Sequence, residues 1–192
     1  FRDTWNLTAR DEIFGFVGRL GAEKNLALLI SSFELVAAQR PRAKLLFVGD
    51  FEYKEALEEL AKQSGFSDRI IFTGSMERNQ LGVAYEVMSV FVFPSMTDTQ
   101  GWVIHEAALA GLPLVLIDKN LSEVVEHGVN GYYADNTPES VAKVITGLLS
   151  SPKRRQEFGL ASQKLARRYT ERHQVKKLIA LYEEVVSEHA SV

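Results

Sequence analysis

Two clusters of polar residues carry the chemistry this chain could do. The first reads Gly18-Arg19-Leu20-Gly21-Ala22-Glu23-Lys24-Asn25, with two cations five residues apart. Arg19 offers a planar fork of donors and Lys24 a point charge, a pair suited to a diphosphate. A helix N-terminus close by would add oriented N–H groups. The plainer alternative is two solvated side chains. The second cluster runs from Pro94-Ser95-Met96-Thr97-Asp98 through Gly101 to Glu106-Ala107, with seven residues between Asp98 and Glu106. If a helix begins near Gly101, Asp98 lies in the loop before it and could accept hydrogen bonds from sugar hydroxyls. The N–H groups of Gly101, Trp102 and Val103 would then face an anion, and Glu106, past the first turn, could reach a ribose diol. Acid pairs at this spacing arise by chance in most proteins. What gives this one weight is its place after an apolar run and beside a glycine.

Other chemistries are excluded or left open. The chain has no cysteine, so disulfides, thiol nucleophiles, iron–sulfur clusters and thiolate zinc sites are excluded. Its four histidines are scattered without ligand spacing, and no metal site is predicted. His105 adjoins Glu106 but faces about a third of a turn away, which leaves a catalytic and a structural role both open. Phe72-Thr73-Gly74 could offer backbone groups to a nucleobase edge, and a plain turn explains it equally well. Gly15, Gly18 and Gly21 do not form G-x-G-x-x-G, and there is no Walker A loop, which argues against a simple dehydrogenase or a P-loop NTPase.

The elements that must position these clusters follow from the apolar pattern. The 192 residues are 46% hydrophobic and 24% charged, a balance that fits one globular domain and excludes disorder. No apolar run approaches the roughly 18 residues needed to cross a bilayer. Short apolar runs occur at 13–17, 45–48, 70–72, 90–93 and 114–117, with a short sixth at Tyr132-Tyr133. Each of the first five is closed or soon followed by Gly or Pro, or leads into a polar loop, and such runs read as buried parallel strands. Helical patterns lie between them, including Leu26, Leu29, Ile30, Phe33 and Ala37 on one face, Glu55 to Lys62, Ala84 to Met88, and Gly101 to Ala110. Asn120 with Glu123 suggests a capping box. Thr137-Pro138 and Ser151-Pro152 each place a cap before a first-turn proline. Val175, Leu178, Ile179, Tyr182 and Val186 form a last apolar stripe. The expected fold is α/β: a Rossmann-like, doubly wound parallel sheet of about six strands, with two or three extra helices at its C-terminal end. Ligands of such folds sit beyond the C-terminal ends of the strands.

The net charge is −3. Between Ser151 and Lys177 there are nine Lys/Arg and two Glu, a balance of +7, which leaves −10 for the remainder. Such a stretch can mark a nucleic-acid or membrane surface, but a solvated helix face or a contact with another domain is the plainer reading, and no nucleic-acid partner is expected. The start, Phe1-Arg2-Asp3-Thr4-Trp5, has neither an initiator Met nor the pattern of a signal peptide. It reads as a fragment of a cytoplasmic protein.

Taken in order, these stretches resemble the C-terminal, donor-binding domain of retaining GT-B glycosyltransferases of group 1, family four. The resemblance rests on Val17-Gly18-Arg19-Leu20 with Glu23-Lys24-Asn25, Leu46-Phe47-Val48-Gly49-Asp50, Ile71-Phe72-Thr73-Gly74, and Val92-Phe93-Pro94-Ser95. It continues through the acidic pair, Glu106-Ala107 to Gly111-Leu112-Pro113, and Gly128-Val129-Asn130-Gly131. It covers nearly all of 10–150. It implies a nucleoside-diphosphate sugar, UDP- or GDP-linked, as donor, transfer with retention, and no metal or cofactor. Arg19 and Lys24 would hold the diphosphate and stabilise the leaving group. Asp98 would contact the donor sugar, and Glu106 would hold the ribose. Gly18, Phe72, Gly74, Gln100, Gly101, Trp102 and Val103 would surround the nucleotide sugar.

Two departures stand out. Asp98 is one methylene shorter than the family's usual Glu, and Thr97-Asp98-Thr99-Gln100-Gly101 is similar to the branch that glycosylates diacylglycerol or related lipids. The resemblance further implies that 1–192 is one domain whose acceptor-binding N-terminal partner is missing, so the isolated chain should bind nucleotide weakly and transfer no sugar. It also implies peripheral association of the whole protein with the inner membrane face, and a C-terminal helix that packs on the partner domain. Two alternatives remain: a related GT-B enzyme such as a nucleotide-sugar epimerase or a glycogen synthase, and a non-catalytic flavodoxin-like binding module.

Overall fold

The structure, a computed structural model, describes residues 1–98 and 101–189. Among them, six parallel strands form one sheet: β1 (Glu12–Val17), β2 (Ala43–Val48), β3 (Ile70–Phe72), β4 (Val90–Phe93), β5 (Leu114–Leu116) and β6 (Gly131–Tyr133). The order is β3-β2-β1-β4-β5-β6, the doubly wound arrangement expected. Every residue of β4 and β5, and all but the first of β1, is buried. Strands apolar on both faces require cover on both, and helices supply it. α1 (Leu26–Gln39) buries Leu26, Leu29, Ile30, Phe33, Val36 and Ala37, and packs on α2 (Lys54–Gln63) and α5 (Pro138–Leu149). α4 (Trp102–Leu109) packs on β4, β5 and α6 (Pro152–Ala166). α3 (Arg78–Val87) links β3 to β4, and α7 (Glu171–His189) follows α6. Phe16 of β1 stacks on Phe93 of β4 at 5.5 Å, which ties together the two strands at which the strand order reverses.

The proline-led helix starts form as read. The Thr137 and Ser151 side chains accept from the N–H groups of Ser140 and Arg154, each at 3.3 Å. One expectation is corrected and two are refined. No helix follows Asn120: Asp118 Oδ1 takes the Asn120 N–H at 2.8 Å, and the buried Asn130 side chain bonds the Glu126 N–H and the Val124 carbonyl. Side chains that bond nearby backbone in this way favour turns over helix. The stripe Val175, Leu178, Ile179, Tyr182 and Val186 does lie on α7, but it is exposed and contributes nothing to the core. The basic stretch is only partly a solvated face. Arg155 donates to the carbonyls of Leu148 and Leu149 at 2.8 and 2.6 Å, where the last turn of α5 leaves acceptors unsatisfied.

Candidate functional site

Strand order reverses between β1 and β4, and in open α/β sheets the crevice beyond that point binds ligands. Both polar clusters emerge there. After β1 the chain turns through Gly18, at φ 142°, into a short 3₁₀ turn, Ala22–Lys24, and then through Asn25, at φ 57°, into α1. After β4 it passes Pro94 and the buried Ser95 to Asp98. The two loops are tied together: the Asn25 amide donates to the Pro94 carbonyl at 3.2 Å and to Asn136 Oδ1 at 2.9 Å, and the Ser95 hydroxyl donates to the Glu23 carbonyl at 3.4 Å.

The cations are not free, as the sequence left open, but paired. Lys24 Nζ lies 2.5 Å from Asp98 Oδ1 and 3.7 Å from Glu23 Oε1. Only 11% of the Lys24 side chain and 17% of that of Asp98 is exposed, so water screens this pair weakly. Asp98 Oδ2 is buried and has no hydrogen-bond partner among the described residues. Such an atom calls for an explanation. Arg19 projects into solvent, its guanidinium 3.2 Å from Glu23 Oε1 and 4.6 Å above the Phe51 ring. The structure thus links Arg19 to Lys24 through Glu23 and Lys24 to Asp98, a bridging place for Glu23 that no spacing rule reveals.

Gly101 sits just before α4, and no side chain caps that helix. The Ile104 N–H bonds the Gly101 carbonyl at 2.8 Å. The amides of Trp102 and Val103 have no acceptor among the described residues, which leaves them available to an anion. Glu106 lies one turn further along, half-buried, and accepts a hydrogen bond at 2.9 Å from the Tyr85 hydroxyl. His105 faces the other way, with its ring between Trp102 and Tyr169. A cleft of about 500 Å³ opens on that side, between Gly101, Trp102, His105, the 120–123 turn and Tyr169. Arg19, Lys24, Asp98 and Glu106 are not among its walls. Gln100 lies outside the described residues.

Phe72 ends β3, two strands from β1, with its ring stacked on Phe47 at 4.9 Å, and Gly74 lies in the loop that follows. The three strand-end loops nevertheless abut. The Gly49 N–H donates to the Gly74 carbonyl at 2.9 Å, and the Gly18 N–H to the Val48 carbonyl at 2.9 Å. A Cβ on Gly49, whose φ is 139°, would strike the Gly18 carbonyl oxygen. Gly18, Gly49 and Gly74 therefore form a row of close backbone beyond the ends of β1, β2 and β3.

The model of the family "Glycosyl transferases group 1" matches residues 1–165. The chain belongs to that family. As a group 1 glycosyltransferase chain it is 43% identical over 99 residues to sulfoquinovosyl transferase SQD2 of Arabidopsis thaliana, 52% of this chain and 18% of that protein. It is 29% identical over 130 residues to alpha-monoglucosyldiacylglycerol synthase of Acholeplasma laidlawii, 67% of this chain and 33% of that protein. Its fold is similar to that of a TarM mutant of S. aureus solved in complex with UDP, at TM-score 0.82 and 22% identity, over 90% of this chain and 35% of that one. The chain spans less than half the length of the curated relatives it matches. Among the described residues, no helix is long and apolar enough to cross a membrane.

Proposed function

We propose that this chain is the donor-binding domain of a retaining glycosyltransferase and that it holds a nucleoside-diphosphate sugar at the β1/β4 crevice. The observation that carries this reading is the cluster of Arg19, Lys24 and Asp98 at the one place where the strand order reverses, with the uncapped start of α4 following shortly after Asp98 in the chain. Arg19 and Lys24 take the diphosphate, helped by the amides of Trp102 and Val103. Their charge stabilises the negative charge that builds on the departing nucleoside diphosphate as the bond to the sugar breaks. Asp98 accepts hydrogen bonds from the donor sugar through its unsatisfied oxygen, and Glu106 holds the ribose. The base lies over the backbone row that ends at Phe72 and Gly74. UDP is the favoured nucleotide, supported by the similarly folded protein that carries it. A glycerolipid acceptor is favoured by the Thr97–Gly101 pattern and by the relative named for diacylglycerol glucosylation. The acceptor lies on a second domain, against which the exposed apolar stripe of α7 packs, and whole-protein contact with a membrane runs through that domain. The chain alone transfers no sugar.

Calorimetry with UDP, GDP and ADP tests the donor site. Wild-type chain binds at least one of them, and Arg19→Ala weakens that binding about tenfold. Stability changes little, because 61% of the Arg19 side chain is exposed. A chain that binds none of the three, with the variant indistinguishable, would overturn the reading in favour of a non-catalytic module.

A further inference from the structure

The donor site leaves one buried titratable group unused, the phenol of Tyr85, and we infer that Tyr85 is a positioning residue that aims the Glu106 carboxylate at the ribose hydroxyls. Tyr85 lies in the last turn of α3 and is 3% exposed. Its ring packs at 6.1 Å on Phe91 of β4, which in turn stacks on Phe93 at 6.4 Å. The core therefore fixes the ring, and the ring fixes the hydroxyl, which donates to Glu106 Oε2 at 2.9 Å. Among the described residues no other group bonds that carboxylate. Burial, and then the nearby Glu106 charge, hold the phenol far above its ordinary pKa, so it remains a donor wherever the protein is folded.

A glutamate side chain has several rotatable torsions, and holding it in one arrangement before the ligand arrives removes an ordering cost from binding. With Oε2 engaged by Tyr85, the remaining acceptor positions of the carboxylate are set in one direction. α3 also joins the two ends of the nucleoside site, because it starts at Arg78, just after the Phe72–Gly74 turn, and ends beside Glu106. Replacing the hydroxyl while keeping the ring should therefore cost ribose recognition and little else.

Tyr85 has this role only if Glu106 holds the ribose, as proposed above, so the test separates the two claims. Binding of UDP, GDP and ADP, and of the 2′,3′-dideoxy form of whichever binds best, is measured by calorimetry on wild type, Tyr85→Phe and Glu106→Gln. The expected result is that both variants weaken the ribonucleotide about tenfold and change the dideoxynucleotide less than twofold. Suppose instead that Glu106→Gln shows this pattern, while Tyr85→Phe leaves the ribonucleotide unchanged or weakens both ligands equally. The positioning role is then wrong and the ribose role of Glu106 stands. If Glu106→Gln itself affects both ligands equally or neither, the ribose role falls and takes the positioning role with it. A purely structural Tyr85 moves both ligands together, and so cannot imitate the expected result.

Discussion

Replacing Asp98 by Asn removes one charge from the least exposed ion pair of the site and should separate two affinities that normally move together. Unit charges about 4 Å apart attract by about 4 kcal/mol at an effective dielectric constant near 20. The desolvation of Lys24 and Asp98 offsets much of that, and Asn can still accept from Lys24 Nζ. The variant should therefore lose about 1–2 kcal/mol of stability. Its effect on ligands has opposite signs. In the free protein Asp98 neutralises Lys24 at 2.5 Å, and an incoming diphosphate must share that cation and approach the carboxylate. The neutral amide removes both obstacles, so bare UDP should bind about tenfold tighter, or about 1.4 kcal/mol. A nucleotide sugar gains the same amount but loses a charged hydrogen bond to the sugar of about 1.5–3 kcal/mol. Its affinity should be unchanged or fall about tenfold. Calorimetry with UDP and UDP-glucose on Asp98→Asn, with urea denaturation alongside, reads all three quantities. Equal weakening of both ligands would refute the neutralising role of Asp98. A loss of stability above about 3 kcal/mol with both affinities intact would make the residue structural.

Two further expectations concern the scaffold. The Arg40 guanidinium grips Glu12 through two bonds of 2.7 and 2.8 Å at the far end of the sheet, and holds the Glu12 carboxyl below the usual carboxylate range. The resulting stability is complete above the ordinary value of 4.5 and is lost as pH falls through the lower folded value. Glu12→Gln should cost about 1–2 kcal/mol at pH 7 and far less at pH 3 by urea denaturation; a deficit independent of pH would refute the assignment. Leu116 is fully buried in β5, and Leu116→Ala should cost about 2–5 kcal/mol, with a loss below about 1 kcal/mol showing that the core is not packed as described.

The strands were legible because burial on both faces leaves unbroken apolar runs such as Val90–Phe93, and Thr137 and Ser151 were legible because a cap acts within three residues. Most of what failed or stayed open depends on partners distant in the chain. Lys24 and Asp98 are 74 residues apart, and no pattern in either loop says that the two will pair. Glu106 was singled out, but Tyr85, which holds it from 21 residues away, reads in sequence as one more aromatic on an amphipathic helix. The α7 stripe has true helical spacing, and spacing alone cannot distinguish a face turned to the core from one left exposed. Asn120 carried a capping signal that local side-chain bonds to the backbone satisfied with turns instead.

The pairing of the site's charges explains how a fold can keep cations ready without a ligand. An unpaired ammonium as enclosed as that of Lys24 would carry a large desolvation cost. Asp98 and Glu23 offset it, and because one is supplied by the β4 loop and the other by the β1 loop, the pairing also fixes the two loops against each other. The arrangement is nevertheless incomplete on one side: Asp98 Oδ2 is buried with no partner among the described residues, while the first amides of α4 have no acceptor among them. One unmet acceptor and a set of unmet donors, close along the chain, are complementary to a ligand that presents hydroxyls beside phosphate oxygens. A sugar attached to a diphosphate has that order of groups, whereas a bare phosphate would satisfy the amides and leave the acceptor unmet.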